Sequence, residues 1–222
     1  MLQDLNIFGT LNAFKLLYNP KLCKHYGVFP TFDQVPIPVN NSIKAIVLDK
    51  DNCFAYPKQS TVWPEYKAQW EKLKQTYPGK ALLVVSNTAG SGDDTDFKEA
   101  KLIEQQTGVN VLRHSKKKPG CKEEILRYFR ENNVTTNPQE IAVIGDRLLT
   151  DVMLANMMNA YAVWIKDGVK ISNNPIVRFE KRLASYMGLG TQSSKRDHSI
   201  ITNDDILPLG TSKIGNPKPS IT

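Results

Sequence analysis

Residues 43–57 read IKAIVLDKDNCFAYP, an apolar run that ends in two aspartates with one lysine between them. In an extended strand, residues i and i+2 share a face, so Asp49 and Asp51 are expected side by side. Carboxylates that close repel, unless a cation lies between them or one keeps its proton. A polar strand end running into a loop would account for an isolated Asp-x-Asp. The reading therefore turns on whether similar strand ends recur.

They do. Working outward, KALLVVS (80–86), NVLRHS (110–115), IAVIGD (141–146) and AYAVWI (160–165) are short, mostly apolar runs of strand length. Between them lie helical stretches at 64–75, about 96–106, 119–132 and 150–158. Apolar strands buried on both faces and alternating with helices predict a Rossmann-like α/β fold with a doubly wound parallel sheet. Ligands in such sheets bind beyond the carboxyl ends of the strands.

The flanks read differently. Residues 1–18 place Ile7, Leu11, Phe14 and Tyr18 on one stripe at helical spacing, and Asn19-Pro20 ends it. This N-terminal amphipathic helix either packs on the domain or lies on a membrane surface, where Lys15, Lys21 and Lys24 would favour the second. Residues 30–41 hold three of the first prolines and read as an extended linker. Residues 174–188 form another amphipathic segment with Arg178, Lys181 and Arg182 on its polar side, and IITNDDILPL (200–209) suits a short strand. The expected organisation is a membrane-associating segment and linker over 1–41, an α/β domain over 42–190, and a poorly ordered tail over 191–222.

With 222 residues, 41% of them hydrophobic, the chain can bury a sizeable core. Its net charge of +7 suits an acidic partner: nucleic acid, an anionic membrane surface or a phosphorylated substrate. Three scattered cysteines, Cys23, Cys53 and Cys121, give no metal-ligand spacing and suit a reducing compartment. The three histidines are too scattered to suggest a histidine-built metal site. No apolar run approaches the ~20 residues needed to span a bilayer. The N-terminus resembles neither a secretory signal nor a typical mitochondrial presequence, carrying Asp4 and no arginine in its first twenty residues.

In a parallel sheet the strand ends converge. The first brings Asp49, Lys50, Asp51 and Asn52, and the second brings Ser86 and Asn87. Lys118 stands before the third helix, and the fourth strand ends in GDRLLTD, carrying Asp146, Arg147 and Asp151. This inventory fits phosphoryl transfer. A carboxylate can attack phosphorus to give an acyl phosphate, splitting one hard displacement into two. A hard cation such as Mg²⁺, held by oxygens, would offset the repulsion between that carboxylate and the phosphate. Ser86, backbone N–H groups and Lys118 could stabilise the transferring group. Asp51 could protonate the leaving alkoxide and then deprotonate the attacking water. Each piece alone has a plainer reading: a turn at Ser86-Asn87, a solvated basic run around Lys118, a helix start at Thr150 or Asp151. Four in order, each at a strand end or helix start, are hard to assemble by chance.

The ordered set resembles the haloacid dehalogenase-like phosphohydrolase superfamily over residues 43–165. By that resemblance Asp49 would be the nucleophile and a metal ligand, and Asp51 the acid/base, giving its backbone carbonyl to the metal. Ser86 and Asn87 would bind the phosphoryl group, Lys118 would neutralise charge, and Asp146 would complete the Mg²⁺ site with Asp151 in support. Lys118 is preferred to Lys116 and Lys117 because Pro119 adjoins it. Cys53 stands where that superfamily usually has Thr or Val; it is similarly small, so packing should survive, with a redox role the alternative. Neither the gap before Ser86 nor that before Lys118 can hold a cap domain, which implies an open site and a large or surface-held substrate.

More narrowly, DKDNCFAYP, SNTAG, HSKKKPGC and GDRLLTD resemble the family of fungal mitochondrial phosphatidylglycerophosphate phosphatases. That resemblance implies release of phosphatidylglycerol on the path to cardiolipin. It also implies peripheral attachment at the matrix face of the inner mitochondrial membrane, with a phospholipid substrate, an anionic membrane surface as partner and no obligate protein partner. Two other readings compete: a phosphatase of phosphoproteins or nucleic-acid ends, which no nucleic-acid-binding motif supports, and a non-catalytic membrane adaptor of the same fold. Arg147 and Arg113 lie near the site by position, as headgroup contacts or as plain salt-bridge residues.

Overall fold

Ala45, Ile46, Val47 and Leu48 are all buried, and they separate cleanly by parity. Ile46 and Leu48 face one apolar layer, whereas Ala45 and Val47 face the other. A strand with both faces covered needs no polar alternation, which is why this one reads as a continuous apolar run. The computed structural model describes residues 27–171 and 175–186. The helix expected over 1–18, the tail over 191–222 and the strand at 200–209 lie outside the described residues.

Six strands form one wholly parallel sheet: β1 (Gly27–Phe29), β2 (Ala45–Leu48), β3 (Leu82–Val84), β4 (Asn110–Val111), β5 (Ile141–Gly145) and β6 (Tyr161–Ile165). Their spatial order is β1-β6-β5-β2-β3-β4. One face is covered by α1 (Lys67–Thr76) and α2 (Lys98–Thr107), through Trp70, Leu73, Ala100 and Ile103. The other face is covered by α3 (Lys122–Glu131), α4 (Met153–Met158) and α5 (Pro175–Tyr186), through Ile125, Phe129, Leu154 and Ala184. The expected doubly wound α/β architecture is therefore present. The chain leaves β2 towards β3 and β4, then returns to the other side of β2 with β5, so the order reverses beside β2. Open parallel sheets bind ligands at such a switch point.

Residues 30–41 are a correction. Instead of an extended linker, they pack: Phe32, Val35 and Ile37 are buried in the same apolar layer as Ile46 and Trp70. Just upstream, β1 pairs with β6 in the register Gly27↔Val163 to Phe29↔Ile165. The compact unit thus extends ahead of residue 42. Prolines do signal extended chain, but pairing with a strand about 135 residues away leaves no local periodicity to read.

The segments between β2 and β3 and between β3 and β4 hold one α-helix each and no inserted domain. The carboxyl edge of the sheet is accordingly not covered by a cap from either insertion point.

Candidate active site

The site starts from the two strands beside the switch point. Asp49 follows β2 directly, its N–H bonded to Ile144 O of β5 at 2.9 Å, and Asp146 follows β5. After Asp146 the chain makes a wide, five-residue π-helical turn, Leu148–Val152, that leads into α4. That turn swings Asp151 back over the strand end. Its Oδ2 accepts the Arg147 N–H at 3.0 Å, so Asp151 closes the turn from within; the helical start lies earlier than Thr150 or Asp151, with Arg147 at the N-cap position. Gly145 makes room for it: a Cβ there would overlap Asp151 Cγ and sit 2.5 Å from Oδ2.

Asp49, Asp146 and Asp151 consequently form a buried trio, with one ligand atom from each within 4.8 Å of the others. Lys118 enters from the opposite rim. Its Nζ donates to Asp49 Oδ1 and, at 2.6 Å, to Asp151 Oδ1. Neither neighbouring lysine does this: Lys117 pairs with Asp93 at 2.6 Å, and Lys116 is exposed. The side-chain oxygen of Asn87 accepts the Lys118 N–H at 2.8 Å, so Asn87 seats the lysine loop.

Electrostatics follow from burial. Burial pushes the Asp49 carboxyl up to about 7, with Lys118 pulling it down and Asp151 and Asp51 adding to the rise. Asp146 is raised well above the usual carboxylate range by burial, then by Asp49 and Asp151. For Lys118 burial opposes the charge, but Asp151 and Asp49 outweigh it and hold the ammonium protonated. Three carboxylates facing one ammonium leave an excess of negative charge in a small, oxygen-lined volume. Hard divalent cations take such donor sets, so the residues fit a metal of the Mg²⁺ type.

Asp51 has a different fate from Asp49. Its carboxylate does not join the trio; Oδ1 accepts from Lys50 Nζ at 2.8 Å and from the Lys58 N–H at 2.6 Å. The side-by-side placement expected from strand periodicity does not extend there, because β2 ends at Leu48 and the chain turns, with Asp51 bridging to Ala55. Ser86 is buried, with its Oγ 3.2 Å from the Thr88 hydroxyl and accepting the Thr88 N–H at 3.2 Å.

Arg147 and Arg113 are salt-bridge residues. The Arg147 guanidinium grips Glu180 of α5, with Nη2 to Oε1 at 2.9 Å, and Glu180 also accepts the Leu148 N–H at 3.2 Å. Arg113 pairs with Glu104 through both Nη atoms, at 2.6 and 2.8 Å. The expected substrate contact at Arg147 thus points towards α5. Local sequence cannot show Glu180, thirty-three residues away.

Three positioning residues received no role from the sequence reading, although two of them, Lys50 and Asn52, stand in the strand end it singled out. Asn52, at φ 62, donates from Nδ2 to Asp146 Oδ2 at 3.1 Å and accepts the Lys170 N–H at 2.8 Å through Oδ1. Close approach at Gly168 permits this, since a Cβ there would lie 2.7 Å from Asn52 Cγ. An asparagine beside a strand end, suited to a left-handed turn, was the available signal. His114 spans two loops, Nε2 to Ser86 O and Nδ1 to Lys116 O, each at 2.8 Å, and burial lowers its pKa. Lys50 is fully buried and reaches Gln59 O at 3.1 Å besides Asp51. Cys53 donates to Ile144 O at 3.7 Å, and burial drives its thiol far from ionisation, which suits packing and disfavours redox chemistry.

The chain is similar to known proteins over most of its length. The sequence pattern of the mitochondrial PGP phosphatase family matches residues 7–170. The mitochondrial phosphatidylglycerophosphatase of Saccharomyces cerevisiae is 58% identical over 184 residues, covering 83% of this chain and 100% of its own length. A probable mitochondrial phosphatidylglycerophosphatase of Schizosaccharomyces pombe is 33% identical, over 85% of this chain and 95% of its own. In Arabidopsis thaliana, phosphatidylglycerophosphate phosphatase 1, chloroplastic/mitochondrial, is 34% identical over 72% of this chain and 46% of its own.

Proposed function

The chain belongs to the mitochondrial PGP phosphatase family, and from that premise we propose that it hydrolyses the phosphomonoester of phosphatidylglycerophosphate. The products are inorganic phosphate and phosphatidylglycerol, a step in cardiolipin biosynthesis. The observation that carries the mechanism is Lys118 Nζ bonded to both Asp49 and Asp151 beside Asp146.

Asp49 attacks phosphorus, and the bond to the glycerol oxygen breaks. Asp51 delivers a proton to the leaving alkoxide from Oδ2, since Oδ1 takes the bonds from Lys50 and Lys58. In the second half Asp51 recovers a proton from the water that attacks the aspartyl phosphate, freeing Asp49. Lys118 stays charged throughout, held by its two carboxylates, and offsets the charge of the phosphoryl oxygens. Ser86 and neighbouring N–H groups receive those oxygens. Mg²⁺ would be held by Asp49 and Asp146 with the Asp51 carbonyl, Asp151 in support, and would supply Lewis-acid neutralisation of the phosphate.

The reading extends to place. Among the described residues no helix is long and apolar enough to cross a membrane. We assign the protein to the matrix face of the inner mitochondrial membrane as a peripheral protein, with the segment ahead of β1 assisting attachment, the phosphatase domain running from β1 to about residue 190, and 191–222 as a tail. Phosphate release from phosphatidylglycerophosphate in mixed micelles, against a soluble phosphosugar and a phosphopeptide, tests the substrate. Preference for the lipid is expected; equal rates on all three would sink the lipid assignment.

A further inference from the structure

Two segments are tied to the strand end that carries Asp146, and both expose apolar side chains to solvent. On α5, Val177, Glu180 and Ala184 turn inward, and Glu180 anchors the helix to Arg147, next to Asp146. The outward face carries Arg178, Phe179 and Arg182, with Phe179 57% exposed. The second segment follows β6. There the Lys170 N–H donates to Asn52, whose amide in turn donates to Asp146, and the next residue, Ile171, is 73% exposed. Lys181 Nζ lies 3.6 Å from Asp167 Oδ1, which joins the two segments.

We infer that this face, α5 with residues 166–171 after β6, is where the protein docks on an anionic bilayer. The inference rests on the lipid-phosphatase reading and names the surface that serves it. A phenylalanine standing off a helix between two arginines, with Lys166 and Lys170 exposed on the adjoining loop, is apolar tissue in a basic ring. Interfacial helices bind that way: the ring inserts at the acyl boundary and the guanidiniums meet lipid phosphates. Helices that serve only as solvated covers keep their aromatics inward, as α1 does with Trp70 and α3 with Phe129. The anchors also explain the position. Because Glu180 and Asn52 each reach the Asp146 strand end, docking here sets the carboxylate trio close to the headgroup plane.

The test uses the full chain and vesicles of equimolar phosphatidylcholine and phosphatidylglycerol. Loss of about 1 kcal/mol per basic residue predicts roughly 30-fold weaker sedimentation for the double variant Arg178→Ala, Arg182→Ala. Phe179→Glu should bind more weakly still. Both should keep wild-type turnover of a soluble phosphomonoester, and both should lose activity on vesicle-embedded phosphatidylglycerophosphate. Unchanged vesicle binding would overturn the inference. So would a change in oligomeric state without lipid, which would identify a second copy of this chain as the occupant. Failure of the wild type to cleave phosphatidylglycerophosphate in detergent micelles would strike the substrate reading alone, because sedimentation reads the surface independently of turnover.

Discussion

The ends of β2 and β5 each carry two aspartates close together in sequence, and the fold treats the pairs oppositely. Asp49 and Asp51, two residues apart, separate: one enters the buried trio, and the other turns to Lys50 and the Lys58 N–H. Asp146 and Asp151, five residues apart, converge, because the π-helical turn folds Asp151 back over Gly145. Spacing in sequence therefore does not rank proximity once a strand has ended. The separated pair suits two roles, attack and proton transfer, whereas the converging pair suits one role, holding charge.

Substitution at β2 separates those roles most sharply. Asp49→Asn should lower turnover by about 10⁴-fold or more while the protein stays folded, checked by phosphate release and circular dichroism. Retained activity would remove Asp49 as nucleophile. Asp51→Asn should cost less, on the order of 10²- to 10³-fold, and should leave metal affinity close to wild type because its carboxylate lies outside the trio. A large loss of metal affinity in that variant would break the contrast between the pairs.

Acidity probes the buried trio in which one member of the separated pair meets the converging pair. Without metal, burial pushes the Asp49 carboxyl up to about 7 from an ordinary 3.8, so the folded state holds its proton more tightly than the unfolded state. The stabilisation is fully present below about 3.8 and is lost as pH rises through about 7. Thermal melts with EDTA should fall across that window, by on the order of 2–4 kcal/mol, and Mg²⁺ should recover the loss at the alkaline end. A melt indifferent to Mg²⁺ at pH 8 would argue against a metal in the trio.

Gly145→Ala adds a methyl against Asp151 and should destabilise by about 1–3 kcal/mol, with weakened metal binding, measured by denaturant unfolding and calorimetry. The smallest effect is expected at Cys53→Val, which keeps an apolar side chain of similar size and should cost under about 1.5 kcal/mol with activity intact. A marked loss of turnover there would restore a chemical role for the thiol.

Much of this molecule was readable along the chain. The five strands from β2 to β6 announce themselves as apolar runs because both faces of a central parallel strand are covered, and the helices between them carry their own periodicity. Asp49, Ser86 and Asp146 stood out because each lies just past a strand, and Lys118 because it lies just ahead of a helix; topology brings those points to one edge. Other features needed partners distant in sequence. β1 is a strand only because β6 accepts it, Arg147 is a clasp only because Glu180 arrives on α5, and Asn52 acts through Gly168 and Lys170.

The sequence by itself determined the layer architecture and the chemical inventory, since hydrophobic periodicity and strand-end residue types are local properties. Only the tertiary structure decided which carboxylates meet, how Lys118 spans two of them, and where Arg147 points. Those outcomes depend on turn geometry after each strand end and on Coulomb interactions in a desolvated site, where a few ångströms decide whether two charges oppose or complete one another.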